Sequence, residues 1–291
     1  MPIPEQKHIP KVSIGMPVYN GEKYIREALD SLLAQTLTNF ELIISDNASS
    51  DTTAEICKEY AKKDSRIRYV RQIENLGPSA NFEFVLREAK ASYFMWAACD
   101  DVWSADWLLN LYELIVKSKA GAAFGQVLPI NHESKLIPHI SINKSFRFVG
   151  NPFFRRLCFY LKFEGEGKAN LFYSLFRKDG LTELKLNSYV YDYSIIYNLL
   201  SEISFESARN VYLYKRDHPA GAGNLMNKGQ SFFSKISRLI FPVPKALLME
   251  YFEHANWLEK IIMVLLTPYK FLLSYLSRMH FVNLNYLNKG K

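Results

Sequence analysis

Several of the commonest routes to function have no support in this sequence. Cysteine is scarce: Cys57, Cys99 and Cys158 are the 3 in 291 residues. Being odd in number and far apart, they suit neither a disulfide framework nor a cysteine metal site, and a reducing compartment is expected. There is no Walker A loop, no HExxH helix and no GxSxG elbow. The GAGN stretch at Gly221 lacks the third glycine and the following amphipathic helix of a dinucleotide fingerprint. The N-terminus, MPIPEQKHIP, has no apolar h-region, so no secretory leader is expected. The longest apolar run of the tail, IIMVLLTPY, falls well short of the roughly 20 residues that a spanning helix needs.

Charge is nearly balanced over most of the chain. The formal net charge is +7, and the stretch from Leu225 onward holds nine Lys or Arg against Glu250, Glu253 and Glu259. That is +6 for the tail and only +1 for everything before it. Nucleic acid is therefore not the expected partner of the main domain. With 48% hydrophobic and 22% charged residues, the chain has the composition of a folded protein with a sizeable core. Its 14% aromatic content suits dense packing or an aromatic-walled site equally.

What is present is an alternation of strand and helix patterns. KVSIGMPVYN reads as a short strand ended by Pro17, and GEKYIREALDSLLAQ as a helix with Tyr24, Ile25, Ala28, Leu29, Leu32 and Leu33 on one face. FELIIS, RIRYVR, SYFMWAA and GAAFGQVL read as further strands. Between them come helices in SSDTTAEICKEYAKK, where Thr52 and Glu55 have capping-box spacing, in GPSANFEFVLREAKA, with Pro78 near the start, and in SADWLLNLYELIVKSK, with Ser104 as N-cap. From Pro129 to Lys168 the pattern is irregular. NLFYSLFRKD and YVYDYSIIYNLL restore a strand and a helix, and NVYLYKRDHPAGAGN reads as a strand entering a loop. Such alternation implies βαβ units and a mostly parallel sheet, with ligands beyond the carboxyl ends of the strands. The polar clusters PVYN, DNASSD and CDD all follow strands.

The sharpest of these clusters is in FMWAACDDVW, where Asp100 and Asp101 interrupt an apolar run. A carboxylate beside a core must be paired, hydrogen-bonded or metal-bound. Taken singly, CDD also suits a solvated turn, and SDNASSD suits turns and helix caps.

Order and spacing together decide more. Through VSIGMPVYNGEKYIREALDSLLAQTLTNFELIISDNASSDTT, ENLGPSANFEFVLREAKASYFMWAACDDVW, NLFYSLFRKD and YDYSIIYNLL, the chain resembles the family 2 glycosyltransferases from about Lys11 to His218. The resemblance implies a GT-A-type α/β fold: a doubly wound, mostly parallel sheet flanked by helices, with a C-terminal helical appendage. It also implies transfer of a sugar, with inversion, from a nucleotide diphosphate sugar to an acceptor hydroxyl.

Site roles follow from the same resemblance. Pro17, Tyr19 and Asn20 line the base and ribose pocket, and Asp46 accepts a hydrogen bond from the base. Ser49 and Asp51 match the family's acidic stretch, where Asn47 replaces an acid. Asn75, Gly77 and Asn81 fall in the donor-binding segment. Asp100 takes the position of the acid that holds Mg²⁺ or Mn²⁺, and Asp101 orients the donor sugar or a metal-bound water. Ala98 stands where the family has a further acid. Asp192 is the expected base, with Tyr191 replacing a neighbouring Glu, and Glu164 and Glu166 are rivals for that role. His218 or Arg216 is expected to complete the metal or phosphate site.

The expected domains are residues 8–224, the transferase, and 225–291, a basic, apolar helical tail that meets a membrane surface, another subunit or the main domain. The acceptor is expected to be a glycan or glycolipid in cell-surface polysaccharide synthesis. The place of work is then the cytoplasm, at the inner face of the cell membrane. Two rival readings stay open: a nucleotidyltransferase on a similar sheet, and a non-catalytic nucleotide-sugar-binding scaffold.

Overall fold

The structure, a computed structural model, describes residues 9–181, 184, 186, 192–217 and 245–289. The chain divides into two compact units: Met1–Tyr112 with Tyr173–Ser188, and Glu113–Phe172 with Tyr189–Lys291. The expected boundary at residue 225 lies outside the described residues. Helices of the tail belong to the same unit as residues 113–172.

In the first unit, β1 (Val12–Val18), β2 (Phe40–Asp46), β3 (Ile67–Arg71) and β4 (Tyr93–Trp96) are parallel, in the order β3-β2-β1-β4. A later strand, Leu175–Arg177, runs antiparallel beside β4. β1 lies between β2 and β4, and all seven of its residues are buried, as a near-continuous apolar run requires. Gly15 lets helix and strand approach closely: a Cβ there would lie 2.7 Å from Val85 and 2.8 Å from Phe94. The strand does not end at Pro17 but runs to Val18. Pro17 lies beyond the last rung shared with β4, Gly15 opposite Trp96, so the N–H it lacks interrupts no ladder on that side.

The crossovers are α1 (Ile25–Leu33), α2 (Thr53–Lys63) and α3 (Pro78–Glu88). α1 buries Ile25, Ala28, Leu29 and Leu32, the stripe its periodicity predicts. The capping box expected for α2 is replaced by bonds to Glu22, 30 residues back, and to Asp51, two residues back. Thr52 donates to Glu22 at 2.7 Å, and the Thr53 N–H is taken by Asp51 at 3.0 Å. α3 begins with Pro78 at its first position behind Gly77. β5 (Val102–Trp103) and the start of α4 (Trp107–Ser118) follow.

In the second unit, β6 (Ala122–Ile130) pairs in parallel with β8 (Phe205–Arg216), with an irregularity between Phe124 and Gln126; the strand Leu175–Arg177 is β7 in chain order. The stretch that reads as irregular contains a helix, α5 (Pro152–Leu161). Asn151 caps it by accepting from the Phe154 N–H at 3.0 Å, and Pro152 opens it. The Asn-Pro pair is a local start signal. α6 (Asp192–Glu202), α7 (Lys245–His254) and α8 (Trp257–Lys289) complete the unit.

Candidate active site

Register places the polar clusters of the first unit on one rim. Val18 lies opposite Asp46, Asp46 opposite Arg71, and Gly15 opposite Trp96. The segments after the four parallel strands therefore leave the same edge of the sheet, which is where such folds bind ligands.

Asp46 is the hub of this rim. It has no solvent-accessible surface. Its Oδ1 accepts from the Ser49 N–H at 2.8 Å, and its Oδ2 accepts from Tyr69 and from Arg71, each at 2.8 Å. Three of the roughly four acceptor positions of a carboxylate are thus filled. Burial, and then the bond to Asp46, push the Tyr69 hydroxyl far up. Arg71, whose side chain is 41% exposed, also donates to the Ser49 carbonyl at 2.8 Å. Sequence reasoning missed Arg71 and Tyr69, although residues two apart on a strand share a face and Arg71 is the cross-strand neighbour of Asp46.

The second layer is a set of amides. Asn47 donates to Asn75 at 2.8 Å and to the Gly77 carbonyl at 3.1 Å, and accepts from the Leu76 N–H at 2.9 Å. The residue standing in place of an acid therefore fixes the loop that carries Asn75 and Gly77. Asn75 is exposed, whereas Asn81 is buried with both ends of its amide on Ser45. Asn81 braces α3 against β2 from beneath the rim.

The β1–α1 turn is held from the other side. The Asn20 N–H donates to Ser49 at 2.9 Å, its side chain accepts from the Ser50 N–H at 2.9 Å, and its φ is 52°. Asp51 accepts from Thr53 and from the Glu22 N–H, and these bonds outweigh burial to hold its carboxyl below the usual range. Pro17 and Ser49 are buried, while Tyr19 is half-exposed beside them.

Asp100 is half-buried after β4, and Asp101 is fully buried just before β5. Among the described residues no three His, Cys, Asp or Glu side chains form a metal cluster, so these residues build no closed cage. An acid such as Asp100 nevertheless fits a hard cation, which completes its shell with water and phosphate oxygens. His218 lies outside the described residues. Arg216 is buried, with Nη1 donating to the Asn131 carbonyl at 3.0 Å and Ser134 at 2.9 Å.

In the second unit, Asp192 opens α6. Its side chain reaches solvent, yet the surrounding protein disfavours its ionised form and pushes the carboxyl up to about 6, with Lys215 opposing. Water screens part of that penalty, and it is the upward direction that matters for a base working near neutrality. The rival Glu164 is committed elsewhere: it lies 2.7 Å from Lys270 and 3.1 Å from Lys168, both with no exposed side-chain surface. Burial works against its charge, but the two ammonium groups hold its carboxyl low, which makes it a poor base. Glu166 lies 3.5 Å from Lys144 and accepts from Ser277 at 3.3 Å.

Comparison with known proteins gives this geometry a context. The family model described as Glycosyl transferase family 2 matches residues 13–184. "Glycosyltransferase GlyA" of Streptococcus pneumoniae is 32% identical over 147 residues, which are 50% of this chain and 20% of that protein. The "putative teichuronic acid biosynthesis glycosyltransferase TuaG" of Bacillus subtilis is 26% identical over 223 residues, 72% of this chain and 88% of that protein. Among solved structures, S. aureus TarS with UDP superposes with a TM-score of 0.58 at 18% identity, over 72% of this chain and 61% of its own. The mannosyltransferase PcManGT of Pyrobaculum calidifontis, in complex with GDP-Man and Mn²⁺, gives 0.51 at 18% identity, over 75% and 59%. At these identities the structures establish the shared GT-A fold.

Proposed function

The chain belongs to glycosyl transferase family 2, and from that premise we propose that it moves a sugar from a nucleotide diphosphate sugar to an acceptor hydroxyl, with inversion, in the assembly of a cell-surface polysaccharide or glycolipid. The observation that carries this reading is the shared rim, where the strand register brings Tyr19, Asn20, Ser49, Arg71, Asn75 and the Asp100–Asp101 pair to one sheet edge. TuaG, aligned over 88% of its length, and the UDP- and GDP-Man-bound neighbours support the reaction class and the donor class.

In this mechanism Tyr19 and Asn20 cover the nucleoside, with Pro17 and Ser49 as the wall behind them. Buried Asp46 organises the pocket by orienting Ser49 and Arg71, and the exposed guanidinium supplies polar recognition. Asn75 and Gly77 close the donor side over the brace made by Asn81. Asp100 would hold a divalent cation, Mg²⁺ or Mn²⁺, with Asp101 behind it and His218 as a further ligand; bound there, it would supply charge neutralisation to the leaving diphosphate. Asp192 accepts the proton of the acceptor hydroxyl as that oxygen bonds to the anomeric carbon and the bond to the diphosphate breaks. A single displacement inverts the anomeric centre. The unpaired thiols, with Cys57 pushed up to about 12 by burial, suit a cytoplasmic protein.

The deciding experiment follows nucleoside diphosphate release from a panel of nucleotide sugars with manganese, for the wild type, Asp100→Ala and Asp192→Asn. Turnover by the wild type and a hundredfold or greater loss in both variants is expected. Pyrophosphate release from a nucleoside triphosphate would overturn the reading in favour of a nucleotidyltransferase. Tight donor binding without turnover would favour a scaffold, the reading for which Ala98 speaks.

A further inference from the structure

α8 has its polarity reversed for a helix at the surface of a water-soluble protein. The seam facing the protein carries polar contacts, with Met263 as a buried apolar residue among them. Glu259 lies 3.3 Å from Arg156, Thr267 bonds Tyr160 at 2.7 Å, Lys270 lies 2.7 Å from Glu164, and Ser277 donates to Glu166 at 3.3 Å. Of these, Glu259 and Lys270, with Ser274 between the last two contacts, are buried. The opposite face is apolar and open: Ile261, Val264, Leu265, Tyr269, Leu272 and Leu276 are each at least 50% exposed. Between Ile261 and Leu276 the one charged residue is Lys270, which is turned inward. A surface helix in water shows the opposite arrangement, with charges out and apolar residues in.

Beside this face is an open cleft of about 500 Å³ between α5 and α8, lined by Cys158, Leu161, Phe163, Leu273 and Leu276 among others. The cleft carries the apolar surface down to the helix flank, where Lys162, Glu166 and Ser277 also line it. Large apolar side chains gathered on one open face mark an interaction site.

We propose that this face of α8, with the adjoining cleft, seats the protein in the surface of an anionic lipid bilayer, the helix lying in the plane of the membrane and not across it. By length and composition Trp257–Ser277 passes as a spanning segment, but its inner seam is occupied. Crossing would strip Glu259 and Lys270 from Arg156 and Glu164 and carry Lys270 into hydrocarbon, where an ionised side chain is disfavoured. The in-plane seat keeps every one of those contacts and buries only the open face. Charge selects the partner. Leaving out Lys270 and Glu259, which pair inward, the tail from Leu225 carries eight Lys or Arg against two Glu, so tail-to-tail pairing of two copies sets like charges together, whereas anionic headgroups complement them.

The test is flotation of the full chain with vesicles of phosphatidylcholine, alone or mixed with phosphatidylglycerol. The wild type should float with the mixed vesicles, bind the neutral ones less, and lose binding as salt rises. Leu265→Glu with Leu272→Glu, at positions 71% and 52% exposed and away from the polar seam, should melt like the wild type and bind at least about tenfold more weakly. Alkaline carbonate should release the wild type from vesicles. Three outcomes would overturn the proposal: no binding to either vesicle, carbonate-resistant insertion, or a dimer in solution that the double variant converts to monomer.

Discussion

Replacing Glu164 by Gln tests whether the acid is a structural keystone or a reacting group. In the folded protein one carboxylate oxygen serves two lysines, Lys270 at 2.7 Å and Lys168 at 3.1 Å, and neither side chain has exposed surface. Lys168 also donates to the carbonyls of Phe159 and Lys162, at 2.6 and 2.7 Å. Glutamine keeps a hydrogen-bond acceptor but removes the countercharge, leaving two buried ammonium groups to repel each other. Removing one partner of a buried pair costs about 3–5 kcal/mol, and the retained acceptor puts this case near 3. At roughly 2–4 °C per kcal/mol for a domain of this size, the melting temperature at pH 7 should fall by about 6–12 °C.

The pH dependence sharpens the test. Burial, then repulsion from Lys270, lowers Lys168 well below its ordinary value. A group with a lowered folded-state pKa binds fewer protons folded than unfolded, so stability rises with pH between that value and the unfolded lysine value. Without the carboxylate the folded-state value drops further and the window widens, so Glu164→Gln should recover more stability than the wild type over the whole rise in pH toward the unfolded lysine value. Adding Lys168→Met should restore part of the loss, a non-additivity expected of groups in contact. Thermal and urea unfolding followed by circular dichroism provide the readout. If Glu164→Gln melted like the wild type and lost turnover, the keystone reasoning would be refuted and Glu164 would become the leading base.

The other predictions concern the site. Because the Asp192 carboxyl is pushed up to about 6, kcat/KM should climb as pH rises through that value and level off above it, and Asp192→Asn should abolish the dependence along with at least a hundredfold of the rate. A raised carboxyl pKa makes ionisation oppose folding, so stability declines between about pH 4 and 6 and Asp192→Asn should melt no lower than the wild type at pH 7. Gly77 has a φ of +81° with nothing near its missing Cβ, so Gly77→Ala should cost about 1–3 kcal/mol of backbone strain and raise KM for the donor. Asn81→Ala removes the buried acceptor of the Ser45 hydroxyl, leaving that oxygen the bond from Gln72 at 2.9 Å, and should cost about 1–3 kcal/mol in urea unfolding, with kcat less affected than by Asp100→Ala.

Much of the architecture is written in short-range pattern. β1, β2 and β4 are buried runs, α1 shows its apolar stripe, and Asn-Pro announces α5, though amid irregular flanks that helix is easily missed. The family signature in SDNASSD and CDD is legible for the same reason: its spacing is local to loops that follow strands. By contrast, the capping box of α2 has the right spacing but competes with Glu22, which arrives from the neighbouring turn, and with Asp51, two residues before the helix.

The sequence by itself determined the alternating elements, the family and the edge at which its polar loops gather, because periodicity and turn chemistry act over a few residues. Only the tertiary structure decided who partners whom. It set Arg71 on Asp46, spent Asn81 on Ser45, tied Glu164 into a buried ion pair by bringing Lys270 to it from 106 residues away, and turned the polar seam of α8 inward. Such pairings depend on which faces meet, and a buried charge accepts whatever partner the fold delivers.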